Sequence, residues 1–385
     1  MQDDNVLQQK SVVLHFASWY PTNDKPMLGI FIRKHISLLQ EDLKQGIIYF
    51  NISSHFQKGL EVAFNHENKL KEIEIRVKKN SFFKSIFIVV GFFKAINLFK
   101  KNIGSPHIAH LHTVLPLAPL VWIFIKISKV KLVVTEHWTG YQPEDGNYKG
   151  FYRKLFTKLI IQNSSAVITV SKQLAEVMSK YGLKFKNLVI SNAVDLHDFN
   201  IGDKKINTNN LIHISSLDDR QKNVSGIIRA FADVAKLNNQ SKLIIVGSGA
   251  DELSLQTLSE ELGLSKQIKF VGNKKGIELA SLIKQSSALV LFSRYENQPV
   301  VILEALACGT PVISTYVGGI SEMLDEHNSI KVEVENSLQL TNAMEMVLNA
   351  NSHFNPLLIH KNILKIIDAD IIKNKHLELY RDLLN

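Results

Sequence analysis

Short runs of β-branched and aliphatic residues alternate with helical periodicity along this chain, and the alternation restricts the fold more than any other feature. In the first half, strands are predicted at Val12–Phe16, Ile73–Val77, Ile108–Leu111, Leu132–Thr135 and Ala166–Val170. In the second half, they are predicted at Leu211–Ile214, Lys242–Val246, Ile268–Val271, Ala288–Phe292 and Val312–Ser314. Two successive series of this kind predict an α/β protein with two doubly wound, Rossmann-like parallel sheets.

The change from one series to the next falls in the stretch NAVDLHDFNIGDKK, residues 192–205, where polar and turn-forming residues interrupt the periodicity. We therefore predict an N-terminal domain over residues 1–195 and a C-terminal domain over residues 196–367. Two such domains facing each other would form a cleft. A length of 385 residues with 45% hydrophobic content suits two cores of ordinary size.

The charge and cysteine content restrict the partners and the compartment. A net charge of +9 favours an anionic partner, which on charge alone can be nucleic acid, a phosphate-bearing substrate or an anionic membrane surface. Cys308 is the single cysteine, so the chain forms no internal disulfide. Since the first 30 residues also lack the pattern of a secretory signal, we expect a cytoplasmic protein.

Two carboxylates stand out in RYENQPVVILEALACGTPVIS, residues 294–314, because Glu304 interrupts an apolar helical run and Glu296 lies in the loop before it. That loop follows the carboxyl end of a predicted strand, where open α/β sheets bind ligands. A buried carboxylate needs hydrogen-bond donors, and the hydroxyls of a sugar supply them. Alternatively, Glu304 points to solvent and Glu296 is an ordinary loop charge. The residues by themselves favour neither interpretation.

This stretch, followed by VGGISEML at Val317–Leu324, resembles the signature of two glutamates and a glycine pair in the retaining glycosyltransferases of family 4. SWYPTNDKPMLGIFIRKHISLL at Ser18–Leu39, HIAHLHTVLPLAPL, TEHWTGY, AVITVSKQLAEVMSKYG and VISNAVDLHDF resemble further blocks of that family, and HLELYRDLL resembles its closing helix. The resemblance implies the GT-B fold, with residues 368–385 forming a helix that returns to the N-terminal domain.

The same resemblance assigns roles to individual residues. It makes Glu304 the ligand of the nucleotide ribose and Glu296 the ligand of a donor-sugar hydroxyl. It places Gly29 near the donor phosphate and His137 facing the transferred sugar, although on its own His137 reads as an ordinary loop histidine. Backbone groups of the loop would meet the sugar and the phosphates, and these belong to Asn297, Gln298, Pro299 and Val300.

The phosphate clamp of the family is an arginine and a lysine in the loop after the first strand of the second domain. In this chain, Lys222 matches the lysine, but Ser216 stands where arginine is usual, and Arg220 is the candidate for the missing charge. Asn273 is the candidate neighbour of the base. Together with His137 and Glu296, Lys222 would carry the catalysis.

The expected reaction is transfer of a sugar, with retention, from a nucleotide sugar, most simply a UDP-sugar, to a saccharide or lipid-linked saccharide of the cell surface. No cofactor and no metal are expected, since His110 and His112 share one strand face without a third ligand. A nucleic-acid partner is not expected. The alternatives are a sugar-nucleotide epimerase of similar fold and a catalytically silent subunit that binds a nucleotide sugar.

The segment Lys78–Asn102 combines aromatic bulk with lysines at both ends. It suits a helix lying on an anionic membrane, which would make the enzyme peripheral at the inner face of the cytoplasmic membrane. It equally suits a helix that covers the N-terminal sheet. Lysine and asparagine residues interrupt it too often for a membrane-spanning helix.

Overall fold

The computed structural model describes residues 11–65, 70–205, 208–349 and 354–385. The strands are β1 Val12–Ala17, β2 Lys44–Ser53, β3 Leu60–Asn65, β4 Lys71–Lys78, β5 Ile108–His112, β6 Lys131–Glu136, β7 Ala166–Thr169, β8 Asn187–Val189, β9 Asn210–Ile214, β10 Lys242–Val246, β11 Ile268–Phe270, β12 Ala288–Leu291, β13 Val312–Thr315 and β14 Ser329–Val332. The helices are α1 Ile30–Leu38, α2 Lys84–Asn102, α3 Ala118–Ser128, α4 Phe151–Gln162, α5 Lys172–Lys180, α6 Asp219–Lys222, α7 Val224–Leu237, α8 Glu252–Glu261, α9 Gly276–Lys284, α10 Val300–Ala307, α11 Ser337–Leu348, α12 Pro356–Ile367 and α13 Ala369–Leu384.

The chain divides into two compact units, which we call unit 1 and unit 2. Unit 1 comprises the described residues up to Trp138 together with Asn147–Ala193 and Ala369–Asn385, and unit 2 comprises Thr139–Gly146 and Val194–Asp368. The segment Thr139–Gly146 lies inside the predicted domain 1–195 but belongs to unit 2. Its Gln142 donates to the Asn297 side chain at 2.8 Å, a contact across 155 residues that no local pattern announces.

Unit 1 contains an eight-stranded sheet in the order β3-β4-β2-β1-β5-β6-β7-β8. All neighbouring strands are parallel except β3 and β4, which pair antiparallel. Every predicted strand is present with ends within two residues of the prediction, but β2, β3, β8 and β14 were missed. Three of these are short edge strands, whose periodicity is weak. Strand β2 is internal, and its run IIYFNI carried a readable signal.

The alternation of side chains along β1 separates two layers of helices in unit 1. Phe16 points to one layer, where its ring lies 5.3 Å from the ring of Phe92 in α2 and 5.5 Å from that of Phe124 in α3. Its neighbour His15 points to the other layer, in which α13 contributes the fully buried Tyr380. The sheet is therefore covered on both faces, as its nearly continuous apolar strands require.

Unit 2 contains a six-stranded sheet in the order β11-β10-β9-β12-β13-β14, with all neighbours parallel. Alternate residues of β12 face opposite layers: Val290 packs in one core with α7 and α11, and Leu289 packs in the other with α9, α10 and α12. The strand order reverses between β9 and β12. In an open α/β sheet, the crevice at the carboxyl ends of two such strands is the place where ligands bind.

Candidate functional site

The loops that leave β9 and β12 form the candidate site of unit 2. The strands pair directly, with Leu211 opposite Ala288 and Ile212 opposite Leu289, so their carboxyl ends lie side by side. The first loop leads through α6 to Asn223, and the second leads to the N-cap of α10 at Pro299. Residues that are far apart in the sequence are thus brought together at the point where the strand order reverses.

A buried ion pair joins these two loops. Lys222 Nζ lies 2.5 Å from Glu296 Oε1, and the two side chains are only 12% and 5% exposed. The Ser293 hydroxyl donates to the same carboxylate oxygen at 2.9 Å. Among the described residues, both of these bonds reach Oε1, and no hydrogen bond or ion pair is made to the second carboxylate oxygen of Glu296.

Lys222 is held in position by the short helix α6, which two further contacts fix. The Asp219 carboxylate accepts from the backbone N–H and the hydroxyl of Ser225, both at 2.7 Å. From the other loop, the Arg294 guanidinium donates to the carbonyls of Asp219 at 2.6 Å and Arg220 at 3.1 Å. Because Arg294 lies two residues before Glu296, it fixes the two ends of the ion pair relative to each other.

Gly318 explains why a glycine follows β13 beside this loop. Its φ is +57°, and a Cβ at this position would lie 1.9 Å from the Glu296 carbonyl oxygen. A side chain is excluded both by the left-handed backbone and by the space. The glycine pair recognised in VGGISEML therefore lets the backbone approach the loop that carries Glu296.

Glu304 lies in the interior of α10, where its neighbours are apolar, and its side chain is buried. The alternative in which Glu304 points to solvent from an amphipathic helix is therefore wrong. Pro299 occupies the N-cap position with φ −67°, and Gly309 adopts the left-handed φ of +67° just after the helix ends at Ala307. Proline at the start of a helix and glycine just after its end are typical of these positions.

The other predicted donor-binding residues differ in how they are placed. Asn297 is buried beside Glu296, while Gln298, Pro299 and Val300 are partly buried. Ser216 and Arg220 are exposed. Asn273 is also exposed and donates to the Ser248 hydroxyl at 2.7 Å.

Gln142 is a site residue that the sequence interpretation missed. Its amide nitrogen donates to the Asn297 side-chain oxygen at 2.8 Å and to the Glu296 carbonyl at 3.3 Å. It therefore fixes the loop from a segment more than 150 residues earlier in the chain. The motif TEHWTGY, which ends one residue before Gln142, is the only nearby signal in the sequence.

Gly29 and His137 belong to unit 1. Gly29 is the N-cap of α1, with φ +68°, and a Cβ there would lie 2.4 Å from the Trp19 carbonyl oxygen. His137 is buried, with its ring 4.6 Å from the ring of Phe31. Burial, with smaller contributions from His35 and His376, holds the pKa of His137 well below its ordinary value, so the imidazole is neutral.

A third histidine joins His110 and His112, contrary to the expectation that the pair stands alone. His15 lies beside them, and nitrogens of the three rings come within 4.8 Å of one another. His15 Nδ1 is 3.0 Å from His112 Nε2, and His15 Nε2 is 3.1 Å from the Gln45 side-chain oxygen. His110 Nδ1 is 2.5 Å from the Tyr380 hydroxyl. These contacts describe a buried hydrogen-bonded network under α13.

With two Rossmann-like units and a site at a topological switch point, the chain has the GT-B class of fold. Residues 61–198 match the family described as Glycosyltransferase Family 4, and residues 198–356 match the family described as Glycosyl transferases group 1. The chain belongs to family 4 of the glycosyltransferases, as its motifs predict.

Individual relatives agree with this assignment, and a solved structure has a similar fold. An uncharacterized glycosyltransferase of Methanocaldococcus jannaschii is 34% identical over 48% of this chain and 51% of its own. The alpha-monoglucosyldiacylglycerol synthase of Streptococcus pneumoniae is 26% identical over 59% and 55%. The Anabaena protein HepE, solved in complex with UDP and glucose, superposes with a TM-score of 0.77 at 16% identity over 97% of this chain and 100% of its own. The chain spans about half the length of these two curated relatives.

Proposed function

We propose that the protein transfers a sugar, with retention of anomeric configuration, from a UDP-sugar to a saccharide or lipid-linked saccharide acceptor. The observation that carries this proposal is the buried pair of Lys222 and Glu296 at the switch point of unit 2. The HepE structure, which contains UDP and glucose on a similar fold, supports UDP as the nucleotide.

In this proposal, the two partners of the ion pair bind different parts of the donor. Glu296 accepts a hydrogen bond from a hydroxyl of the donor sugar, and Glu304 accepts hydrogen bonds from the ribose hydroxyls. Lys222 faces the diphosphate. Because α6 already holds the Lys222 ammonium in place, it stabilises the negative charge that grows on the departing diphosphate without reorganisation. Electrostatic catalysis is most effective under this condition.

The reaction breaks the bond between the anomeric carbon and the diphosphate oxygen, and the electron pair stays with that oxygen. The acceptor hydroxyl forms the new bond on the same face of the sugar, and its proton passes to the departing diphosphate. Lys222 and the exposed Arg220 supply the positive charge that this step needs, so we propose transfer without a metal ion. Neutral His137 would offer hydrogen bonds to the sugar rather than charge.

Product analysis tests this proposal and separates it from the alternatives. Incubation with a UDP-sugar and a saccharide acceptor should give one UDP per new glycosidic bond, with the donor's anomeric configuration seen in the proton NMR coupling constant. An epimerase would alter the sugar without an acceptor. A silent subunit would bind UDP without turnover.

We also propose that unit 1 attaches to an anionic membrane through the layer formed by α2, α3 and α4. Helix α3 packs beside α2 on Phe16, and α4 packs against α3. The three helices contain eight Lys and Arg residues and no Asp or Glu. Their exposed apolar side chains are Ile86, Val89, Val90, Ile123, Ile127, Phe151 and Tyr152, and Phe82 and Phe83 precede α2.

The segment Lys78–Asn102 both covers the sheet of unit 1 and presents exposed residues, so each of its two interpretations applies to a part of it. Phe92 and Phe99 are fully buried against the sheet, so they do not belong to an exposed aromatic face. Phe82 and Phe83, which precede α2, are 95% and 53% exposed. Basic charge around exposed aromatic residues suits an interface with anionic lipid. In the part of the chain that the structure describes, no helix is long and apolar enough to span a membrane.

A further inference from the structure

A cavity of about 430 Å³ is lined by residues of unit 1. Trp19 follows β1, Leu115 and Pro116 follow β5, and Trp138 follows β6. Since the strand order of the sheet reverses between β1 and β5, the cavity lies at the switch point of unit 1, where a ligand is expected. Its volume falls in the range of about 300 to 1,000 Å³ that small-molecule sites occupy.

The lining has an unusual chemical composition for a carbohydrate site. Its residues are Trp19, Leu115, Pro116, Pro119, Trp138, Tyr152, Arg153 and Phe156. Seven of the eight are apolar or aromatic, and no carboxylate or amide side chain is among them. These side chains offer few acceptors for the hydroxyls of a saccharide, whereas an alkyl chain would gain from transfer out of water into the same cavity.

Arg153 supplies the one charge, and its surroundings favour an anion. It lies in the first turn of α4, whose N-cap is Gly150, with no side-chain cap and no acidic residue in that turn. The helix N-terminus and the Arg153 guanidinium therefore place positive charge close together, and a bound anion would stabilise this arrangement. Among the described residues, the Arg153 guanidinium donates to the Asn147 carbonyl at 2.5 Å and has no carboxylate partner.

We propose that this cavity binds the lipid phosphate of the acceptor, with the first part of an isoprenoid or alkyl chain between the tryptophans and the phosphate on Arg153. The inference rests on the proposed function, because it identifies the acceptor as an amphiphile with a phosphate at the end of an apolar chain. The exposed Phe151 and Tyr152 adjoin Arg153 in the sequence of α4 and belong to the proposed membrane layer, so the chain would enter from the bilayer side.

Ligand binding in the cavity should change the tryptophan fluorescence, because two of the three tryptophans of the chain line it. The Trp122→Phe variant removes the third and serves as the reference protein. We would titrate it with geranyl phosphate and farnesyl phosphate as monomers, and with farnesol and inorganic phosphate, while following tryptophan fluorescence. Farnesyl phosphate should saturate the signal, and affinity should rise about four-fold for each added methylene until the cavity is full. Farnesol should bind at least ten-fold more weakly than farnesyl phosphate.

Matched variants identify the phosphate ligand. Arg153→Gln should weaken farnesyl phosphate binding by about ten-fold or more, while Lys154→Gln, a change of the next cation, which is also exposed, should alter it less than two-fold. Equal effects of the two variants, or equal binding of farnesol and farnesyl phosphate, would overturn the proposal. So would phosphatidylglycerol vesicles giving the same Arg153-dependent signal, because the bilayer phospholipid would then be the ligand.

The affinity for UDP is measured on the same proteins. UDP binding that persists while farnesyl phosphate fails to bind overturns only this inference, whereas loss of UDP binding in the reference protein overturns the proposed function. Because Arg153 lies in unit 1, the folding of Arg153→Gln is checked by urea unfolding followed by tryptophan fluorescence, since the tryptophans belong to that unit.

Discussion

Unit 1 should lose its stability in mild acid, because six of its histidines are buried and neutral. They are His15, His35, His110, His112, His137 and His376. Burial lowers the pKa of His15 and His35 to about 4, and it holds the pKa of the other four well below the ordinary value. Between pH 6.5 and 4, the unfolded chain therefore binds more protons than the folded chain. The stabilisation is complete above about pH 6.5 and is lost as the pH falls.

The size of the loss follows from these pKa values. Consider a histidine with a pKa of about 4 in the folded state and about 6.5 in the unfolded state. Its protonation in the unfolded chain lowers the free energy of unfolding by about 1.4 kcal/mol at pH 5.5 and by about 0.1 kcal/mol at pH 7.5. His15 and His35 together remove about 3 kcal/mol over these two pH units, and the other four buried histidines add to the loss in the same direction. The free energy of unfolding of unit 1 should therefore fall steeply between pH 7.5 and 5.5.

Urea unfolding followed by tryptophan fluorescence measures this loss in unit 1 alone, because Trp19, Trp122 and Trp138 all belong to it. His376 is the informative position, since it is 1% exposed and neither ring nitrogen has a hydrogen-bond partner among the residues that the structure describes. His376→Leu should raise the free energy of unfolding at pH 5.5 by more than 1 kcal/mol and reduce the slope by about one proton. His55→Gln, at an exposed position, should change neither. A free energy of unfolding that stays constant from pH 7.5 to 5.5 would refute the reasoning.

Three further predictions concern the site and the membrane layer. Glu304→Gln should weaken UDP binding in calorimetry by about 1 to 3 kcal/mol while the circular dichroism spectrum stays unchanged, and an unchanged dissociation constant would remove Glu304 from the nucleotide site. Gly318→Ala should destabilise unit 2 by more than about 1 kcal/mol in hydrogen exchange, because its Cβ meets the Glu296 carbonyl, and wild-type protection would contradict this. Replacing four lysines of unit 1 with glutamate should abolish sedimentation with anionic liposomes at low salt, since each lysine contributes about 1 kcal/mol to the attraction. Equal sedimentation of the variant and the wild type would refute the proposed attachment to the membrane. Those lysines are Lys78, Lys79, Lys100 and Lys101. The matched control changes four lysines of unit 2 to glutamate, namely Lys242, Lys266, Lys269 and Lys275.

The sequence predicts the fold well because parallel strands buried on both faces produce apolar runs that stand out from the helices between them. Ala288–Leu291 and the helix that follows Pro299 are read directly from residues 288–307, and their loop identifies Glu296 without any structure. The edge strands Leu60–Asn65 and Ser329–Val332 were missed because half-exposed, short segments carry little periodicity.

Contacts between distant segments could not be predicted. The motif TEHWTGY lies next to Gln142 but does not indicate that Gln142 contacts the loop of Glu296. The partner of Lys222 is set by the order of strands in the sheet rather than by sequence spacing. The histidine network depends on the register that places His15 opposite His110. Strand β5 contains His110 and His112, but His15 lies on the neighbouring strand β1. The sequence of β5 therefore could not reveal the third histidine, and the prediction of an isolated pair was wrong.

The affinity for UDP of a protein in which the ion pair is neutralised tests the central claim most directly. Removing Lys222 alone would leave the Glu296 carboxylate buried and unpaired, so the double variant Lys222→Gln/Glu296→Gln keeps the volume and a hydrogen bond while it removes both charges. Titration calorimetry compares it with wild type and with Lys266→Gln, which changes an exposed lysine of the same unit. The account predicts a dissociation constant for UDP at least about ten-fold higher in the double variant and unchanged in Lys266→Gln. Equal dissociation constants for all three proteins would show that the diphosphate binds elsewhere.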